Sequence, residues 1–253
     1  MRWLVPRKPV KAPSRRELLK IDGRAVPVTL KLNPRARRLI VKVHPTTGEV
    51  TVVAPSRRAL EHALDFARNE KDWIAGRLAD VPPPVLLGIG KTIPFLGEAH
   101  LIVQGEGRPP VQVGMDDGKP VLRVSGREEH VSRRLTDFLK REVRAVLESR
   151  TFEYARHIAI FPKRITVRDT ASRWGSCSSG QLLSFSWRLV FAPAHVLDYV
   201  VAHEVAHLKE LNHGPRFWKL VREMVPDIET PQLWLRDHGA ALHRYAPKIA
   251  PQE

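Results

Sequence analysis

His203 and His207 stand four residues apart in the segment His203-Glu204-Val205-Ala206-His207, with Glu204 directly after the first histidine. If this segment is helical, two side chains four apart lie on one face, and their imidazoles can hold a single ion. Glu204 would then sit one step round, within reach of a water on that ion without being a ligand. Zinc lowers the pKa of a bound water to near 7, and a neighbouring carboxylate can take its proton during attack on an electrophile. That is the chemical content of the H-E-x-x-H pattern.

A catalytic zinc needs a third protein ligand and an open position. His213 is the first candidate, although ten residues beyond His203 on an unbroken helix it would lie about 280° round the axis. The sequence places Asn212 and Gly214-Pro215 beside it. Asn tolerates a left-handed helix end and a proline just beyond cannot continue the helix, so the expectation is a turn after about Leu211 that returns His213 to the metal. Glu210, Glu223 and Asp227 remain alternative third ligands, since zinc also accepts carboxylates.

Other residues carry weaker signals. Arg173-Trp174-Gly175-Ser176 could line the cleft and position a substrate carbonyl or phosphate, or simply form a turn around a core tryptophan. Cys177 could bind metal, but a lone cysteine is more often a small buried side chain. His195 reads as a surface or capping group at the start of the site helix, and His238 and His243 as helix-surface residues. Phe217 and Trp218 read as a face packed under the histidines.

These residues need elements to hold them. The apolar run His195 to Ala202 makes a helix from about Pro193, followed by two shorter helices to about Arg244. Before it, 165–168 and 182–187 read as strands around the loop 172–180, and the strand near 181–187 is expected to lie at a sheet edge. A long helix from about Arg127 to Ile158 carries Val131, Leu135, Phe138, Leu139, Val143 and Val146 on one face, and Phe161-Pro162 stops it. The preceding part is β-rich, with strands at 26–32, 39–43 and 50–53. The last two are joined by a turn at 46–49, and one inserted helix is capped by Ser56 and runs to about Leu78. The fold class is therefore α+β, divided into a basic flexible tail at 1–20, a β-rich region with one helix at 21–125, and a helical metal-binding region at 126–253.

The chain has 253 residues, 42 Lys+Arg against 27 Asp+Glu, and a formal net charge of +15. Such an excess favours polyanionic partners, so a nucleic acid or nucleotide could bind non-specifically through a basic surface, with Arg35, Arg37, Arg38, Arg57, Arg58, Arg133, Arg134, Lys140 and Arg141 as the densest patches. One cysteine allows no internal disulfide and suits a reducing compartment. The start has no apolar run of the signal-peptide kind, and no window approaches the roughly 18 apolar residues of a membrane span. A cytoplasmic protein with no membrane association is expected.

Ser172 to Ser178, Tyr199 to Leu208 and Asn212 to Trp218 together resemble the YgjP-like metallopeptidase family, a relative of the SprT-like proteins among the zincins. Arg35 to Leu39, Val53 to Pro55 and Lys71 to Ile74 look like that family's amino-terminal half. The resemblance, over about residues 20 to 245, implies a zincin-like fold with a small sheet beside the active-site helix. It implies one Zn²⁺ on His203, His207 and His213, with Glu204 as general base, acting on a protein or peptide. The same site could instead hydrolyse a nucleoside triphosphate, and a third reading is a nucleic-acid-associated protein with a structural zinc.

Overall fold

The computed structural model describes residues 14–44, 47–81, 83–170 and 173–245. The chain divides into two compact units, residues 1–83 and 84–253. The sequence reading put the division at 125/126, and the difference has a packing cause given below.

In the first unit, β1 (Ser14–Ile21) and β2 (Arg24–Leu32) form an antiparallel hairpin, and β3 (Ile40–Val43) and β4 (Val50–Ala54) form another. They join through the parallel pair β2 and β4, giving the order β1-β2-β4-β3. Leu19, Ile21, Val28, Leu30, Val50 and Val52 alternate onto one face. That face is covered by α1 (Arg57–Glu61), α2 (Ala63–Asn69) and α3 (Lys71–Ala79), which bring Ala63, Ala67 and Ile74 to the same core. Each core aliphatic of Val or Leu size contributes about 1.5–3 kcal/mol by leaving water.

Two expectations change here. Residues 14–20 of the predicted tail form most of β1, because pairing with β2 satisfies a backbone whose side chains are largely charged; residues 1–13 lie outside the described residues, as do 45 and 46 of the predicted turn. The predicted helix to Leu78 is three helices, interrupted at His62 and Glu70. Ser56 does cap the first, its Oγ accepting from the Ala59 N–H at 3.1 Å, a contact of about 1 kcal/mol.

The second unit begins with a sheet of β5 (Thr92–Phe95), β6 (Glu98–Gly105), β7 (Val111–Asp116) and β8 (Lys119–Ser125) in the order β5-β6-β8-β7. A single 3₁₀ turn leads into α4 (Val131–Ile158). Val131, Leu135, Phe138, Leu139, Val143 and Leu147 recur at helical spacing and are buried. They share one core with Ile93, Ile102, Leu122 and Val124 of the sheet. This shared core is why 84–125 belongs with the region that carries the three histidines rather than with the first strands. Helix α4 ends at left-handed Ala159, just before Phe161-Pro162.

A small sheet follows, of β9 (Arg164–Arg168), β10 (Gly175–Cys177) and β11 (Leu182–Ser186), in the order β10-β11-β9. The expected edge strand, β11, is thus central. It runs parallel to β9 and antiparallel to β10, and the loop expected at 172–180 supplies the edge strand instead. Three helices complete the unit: α5 (Ala194–Ala206), α6 (Pro215–Met224) and α7 (Glu229–Leu242). The architecture is α+β with a β-rich first half. Among the described residues, no helix is long and apolar enough to cross a membrane.

Candidate metal centre

Helix α5 is apolar on nearly every side. Val196, Leu197, Val200, Val201, Ala202 and Val205 are all buried, so any polar group on it must be paired or functional. It carries His203 and Glu204, and His207 directly follows its last residue. The helix ends about five residues earlier than the sequence suggested. The chain tightens through Leu208 N–H to Val205 O at 2.9 Å and Lys209 N–H to Ala206 O at 3.1 Å. Asn212 is not among the residues with positive φ, so the reversal uses no left-handed residue there. Gly214 N–H bonds to Asn212 O at 2.8 Å, and Pro215 then opens α6 at a position that needs no N–H.

This reversal brings His213 back. One ligand nitrogen each from His203, His207 and His213 lie within 4.8 Å of one another. The Nε2 atoms of His203 and His213 are 3.0 Å apart, close to the roughly 3.3 Å separating two nitrogens bound tetrahedrally at zinc distances. Phe217 of α6 is fully buried beneath them, its ring centre 4.5 to 4.9 Å from all three imidazoles. Glu210, Glu223 and Asp227 stand outside the cluster. The Glu210 carbonyl accepts from His207 Nδ1 at 3.0 Å, Glu223 lies 3.9 Å from both His157 and Lys219, and Asp227 receives the Glu229 and Thr230 N–H groups at the start of α7.

The three histidines fit a borderline-soft divalent ion on grounds internal to this chain. Metal ligation needs neutral imidazole. Burial, with His207 and His213 alongside, holds His203 down to about 4, and burial also lowers His207. The Glu210 carbonyl fixes His207 with Nδ1–H outward, leaving Nε2 available to a metal, the outer-shell arrangement typical of metal-binding histidine. His203 Nδ1 is buried without a hydrogen-bond partner among the described residues. His213 is exposed, so one side of the cluster opens to solvent.

Glu204 is only 7% exposed. Burial pushes its carboxyl up to about 7, against the opposing pull of Arg173 and of the Cys177 N–H, which donates to it. Its neighbour is Gly175, where a Cβ would lie 2.5 Å from Glu204 Cγ. Strand β10 therefore runs beside the carboxylate.

The segment Arg173-Trp174-Gly175-Ser176 separates into different roles. Arg173 is exposed and acts on Glu204 by its charge. Gly175 makes room for the carboxylate. Ser176 lies between Gly175 and Cys177 on β10, paired with Ser184. Trp174 is half-buried against the core, stacked on His243 with ring centres 5.1 Å apart and against Gly239. His243 is accordingly buried rather than on the helix surface, because Trp174 covers it. His195 and His238 are exposed. Cys177 is half-buried, outside the cluster, and its thiol is pushed up to about 11 by burial and the Glu204 charge.

Sequence reasoning named Tyr199, one turn before His203, only within the family resemblance and gave it no role of its own. Its hydroxyl accepts from Gln232 Nε2 of α7 at 2.9 Å, and its ring meets the His203 ring edge-on at 5.9 Å. A lone tyrosine four residues before the first histidine in an apolar helix was the available signal.

The solved structure of the metallopeptidase zymogen abylysin from Pyrococcus abyssi is 16% identical over 37% of this chain and 92% of its own, with a TM-score of 0.33. No curated protein matches the chain. The model of the YgjP-like metallopeptidase domain matches residues 37–238, most of the sequence, and the chain therefore belongs to the YgjP-like metallopeptidase family.

Proposed function

We propose that the chain is a zinc-dependent peptidase that hydrolyses protein or peptide substrates, with His203, His207 and His213 as ligands and Glu204 as general base. Family membership supports a metal-dependent peptidase in general. The observation that carries the finer reading is the juxtaposition of the triad with a buried carboxylate poised near neutrality. A structural zinc has no use for such a group, whereas a general base is most effective with a pKa near the working pH.

A zinc ion held there would polarise the scissile carbonyl and acidify water. The chain's own residues do the rest. Glu204 takes the proton from the attacking water and can return it to the leaving amine. Its pKa near 7 allows both transfers, and the Cys177 N–H and Arg173 keep the carboxylate aimed. Phe217 and the Glu210 carbonyl hold the imidazoles in place.

Strand β10 favours an extended peptide as the substrate. Trp174 O and Ser178 N point to β11, so by strand alternation the backbone groups of Gly175 and Cys177 point the other way, toward Glu204. An extended segment could add along this edge, its backbone pairing supplying affinity and its carbonyl reaching the cluster.

The test is cleavage of an unfolded protein by zinc-loaded, chelated and His213→Ala protein. Zinc-dependent cleavage lost in the variant supports the reading. If the loaded protein instead hydrolyses nucleoside triphosphates and leaves protein intact, the phosphohydrolase reading replaces it.

A further inference from the structure

We propose that the uncovered face of the first unit's sheet binds the phosphate backbone of single-stranded nucleic acid, independently of base sequence. This inference does not rest on the peptidase reading. Its starting point is an uneven distribution of charge. Residues 1–83 carry more than twice as many Lys and Arg as Asp and Glu, while residues 84–253 have only a modest excess.

The sheet sorts that charge by face. One face is the apolar core with the three helices. On the other, the register aligns Arg16, Thr29, Thr51 and Lys42 in one row across all four strands. Three strand spacings put its two cations about 14 Å apart. Lys31 lies two positions along β2 from Thr29, in a row with Ser14 and Val53, and Lys20 lies four along β1 from Arg16. Arg16, Lys20, Lys31 and Lys42 are all exposed.

Within β1 to β4 this face carries no carboxylate among the described residues; Glu49, opposite His44 just beyond the Val43–Val50 pair, stands at its margin. The unit's acidic side chains sit on or beside the helices and in turns, and Glu17 lies on the opposite side of β1, paired with Arg15. None of the four cations has a salt bridge among the described residues. At the Lys31 end of the sheet, the β2–β3 connection presents exposed Arg35, Arg37 and Arg38, with its turn set by Arg35 N–H to Asn33 Oδ1 at 3.1 Å. The result is a face that spreads ammonium and guanidinium groups over β1, β2 and β3, with Thr29 and Thr51 between Arg16 and Lys42.

The chemistry selects the occupant. Evenly spaced single negative charges on a flexible strand can visit cations about 7 to 14 Å apart in succession, and arginine forks suit phosphate. Among the described residues no Phe, Tyr or Trp lies on this face to stack bases, which makes the contact one of charge and not of sequence. Leu18, 67% exposed, is the face's large exposed hydrophobe, too little for the apolar insertion that anchors a surface to lipid.

The full chain would be titrated against a fluorescent 20-nucleotide oligo-dT at 50 and 200 mM salt, with wild type compared to Arg16→Glu/Lys31→Glu. A Lys91→Glu/Lys119→Glu protein in the second unit carries the same change in net charge. Four phosphate contacts give a salt slope of about −3, so wild-type affinity should fall about 50-fold between the two salts. Reversing two of them should cost at least tenfold at 50 mM and reduce the slope to about −1.4, while the control loses less than threefold. If the reversed protein does not give the wild-type thermal melt, Arg16→Gln/Lys31→Gln replaces it with the same expected slope. Equal losses in both double variants, a flat salt response, preference for duplex over single strand, or tighter binding to anionic vesicles than to the oligonucleotide would overturn the proposal.

Discussion

Replacing Gly175 by Ala should disable the centre without unfolding the protein. The new Cβ would stand 2.5 Å from Glu204 Cγ, 2.6 Å from Oε1 and 2.8 Å from Cδ, where ordinary contacts begin near 3.4 Å. Glu204 must retreat by about 1 Å, because its own helix is packed on all sides and the strand is held by pairing to β11. That retreat breaks the Cys177 N–H contact and mis-aims the proton acceptor. Misplacement of a catalytic group by about 1 Å costs on the order of 10²-fold in rate, or about 2.7 kcal/mol of barrier. The assay is kcat/KM on an unfolded protein substrate, with bound zinc measured alongside. Gly180→Ala is the control, since its nearest neighbour would be Ser178 Oγ at an ordinary 3.7 Å. A zinc-loaded Gly175→Ala protein with wild-type kcat/KM would refute the reasoning, because the carboxylate's position would then not matter.

Further outcomes follow from other contacts. Arg188, 3% exposed, pairs with Asp169 at 2.9 Å and donates to the Tyr245 carbonyl; Arg188→Met should lower unfolding free energy by about 3–5 kcal/mol in urea melts, and a loss below about 1 kcal/mol would contradict that role. Phe217→Ala should weaken zinc binding in a competition titration and also cost about 3–5 kcal/mol of stability. Because the Cys177 thiol sits at about 11, its alkylation at pH 7.5 should be slow, rise tenfold per pH unit, and quicken in Glu204→Gln; rapid alkylation at neutral pH would show a thiolate the environment does not favour. In the metal-free protein the folded Glu204 pKa is raised from 4.5 to about 7. The folded state therefore holds its proton more tightly than the unfolded state, and this contribution is full below pH 4.5 and lost as pH rises through 7. Apo Glu204→Gln should thus exceed apo wild type by up to about 3 kcal/mol at pH 8, with the gap closing toward pH 4; a gap independent of pH would reject it.

Much of the site could be read from local pattern. His203, Glu204 and His207 follow from helical spacing in an apolar run, and Gly214-Pro215 marks a break that returns His213. Ser56 and the buried face of α4 were legible for the same reason, since caps and periodicity are local. What was missed depends on distant pairing. Strand β1, Ser-Arg-Arg-Glu-Leu-Leu-Lys-Ile, looks like a charged tail until β2 supplies its hydrogen bonds. The division at 83/84 depends on which helix buries β5–β8, and α4 lies beyond them in sequence. Strand order put β10 rather than β11 at the edge, and only that placement sets Gly175 against Glu204. His243 looks like a helix-surface residue until Trp174, far back in the chain, stacks on it.

The central claim is that Glu204 beside the three histidines makes this protein a peptidase. The most direct test is Glu204→Gln with zinc content and cleavage of an unfolded protein measured on the same sample. The account predicts wild-type zinc stoichiometry and a loss of cleavage of at least about 10²-fold, the scale of general-base catalysis. Retained cleavage in a zinc-loaded Glu204→Gln protein would contradict it.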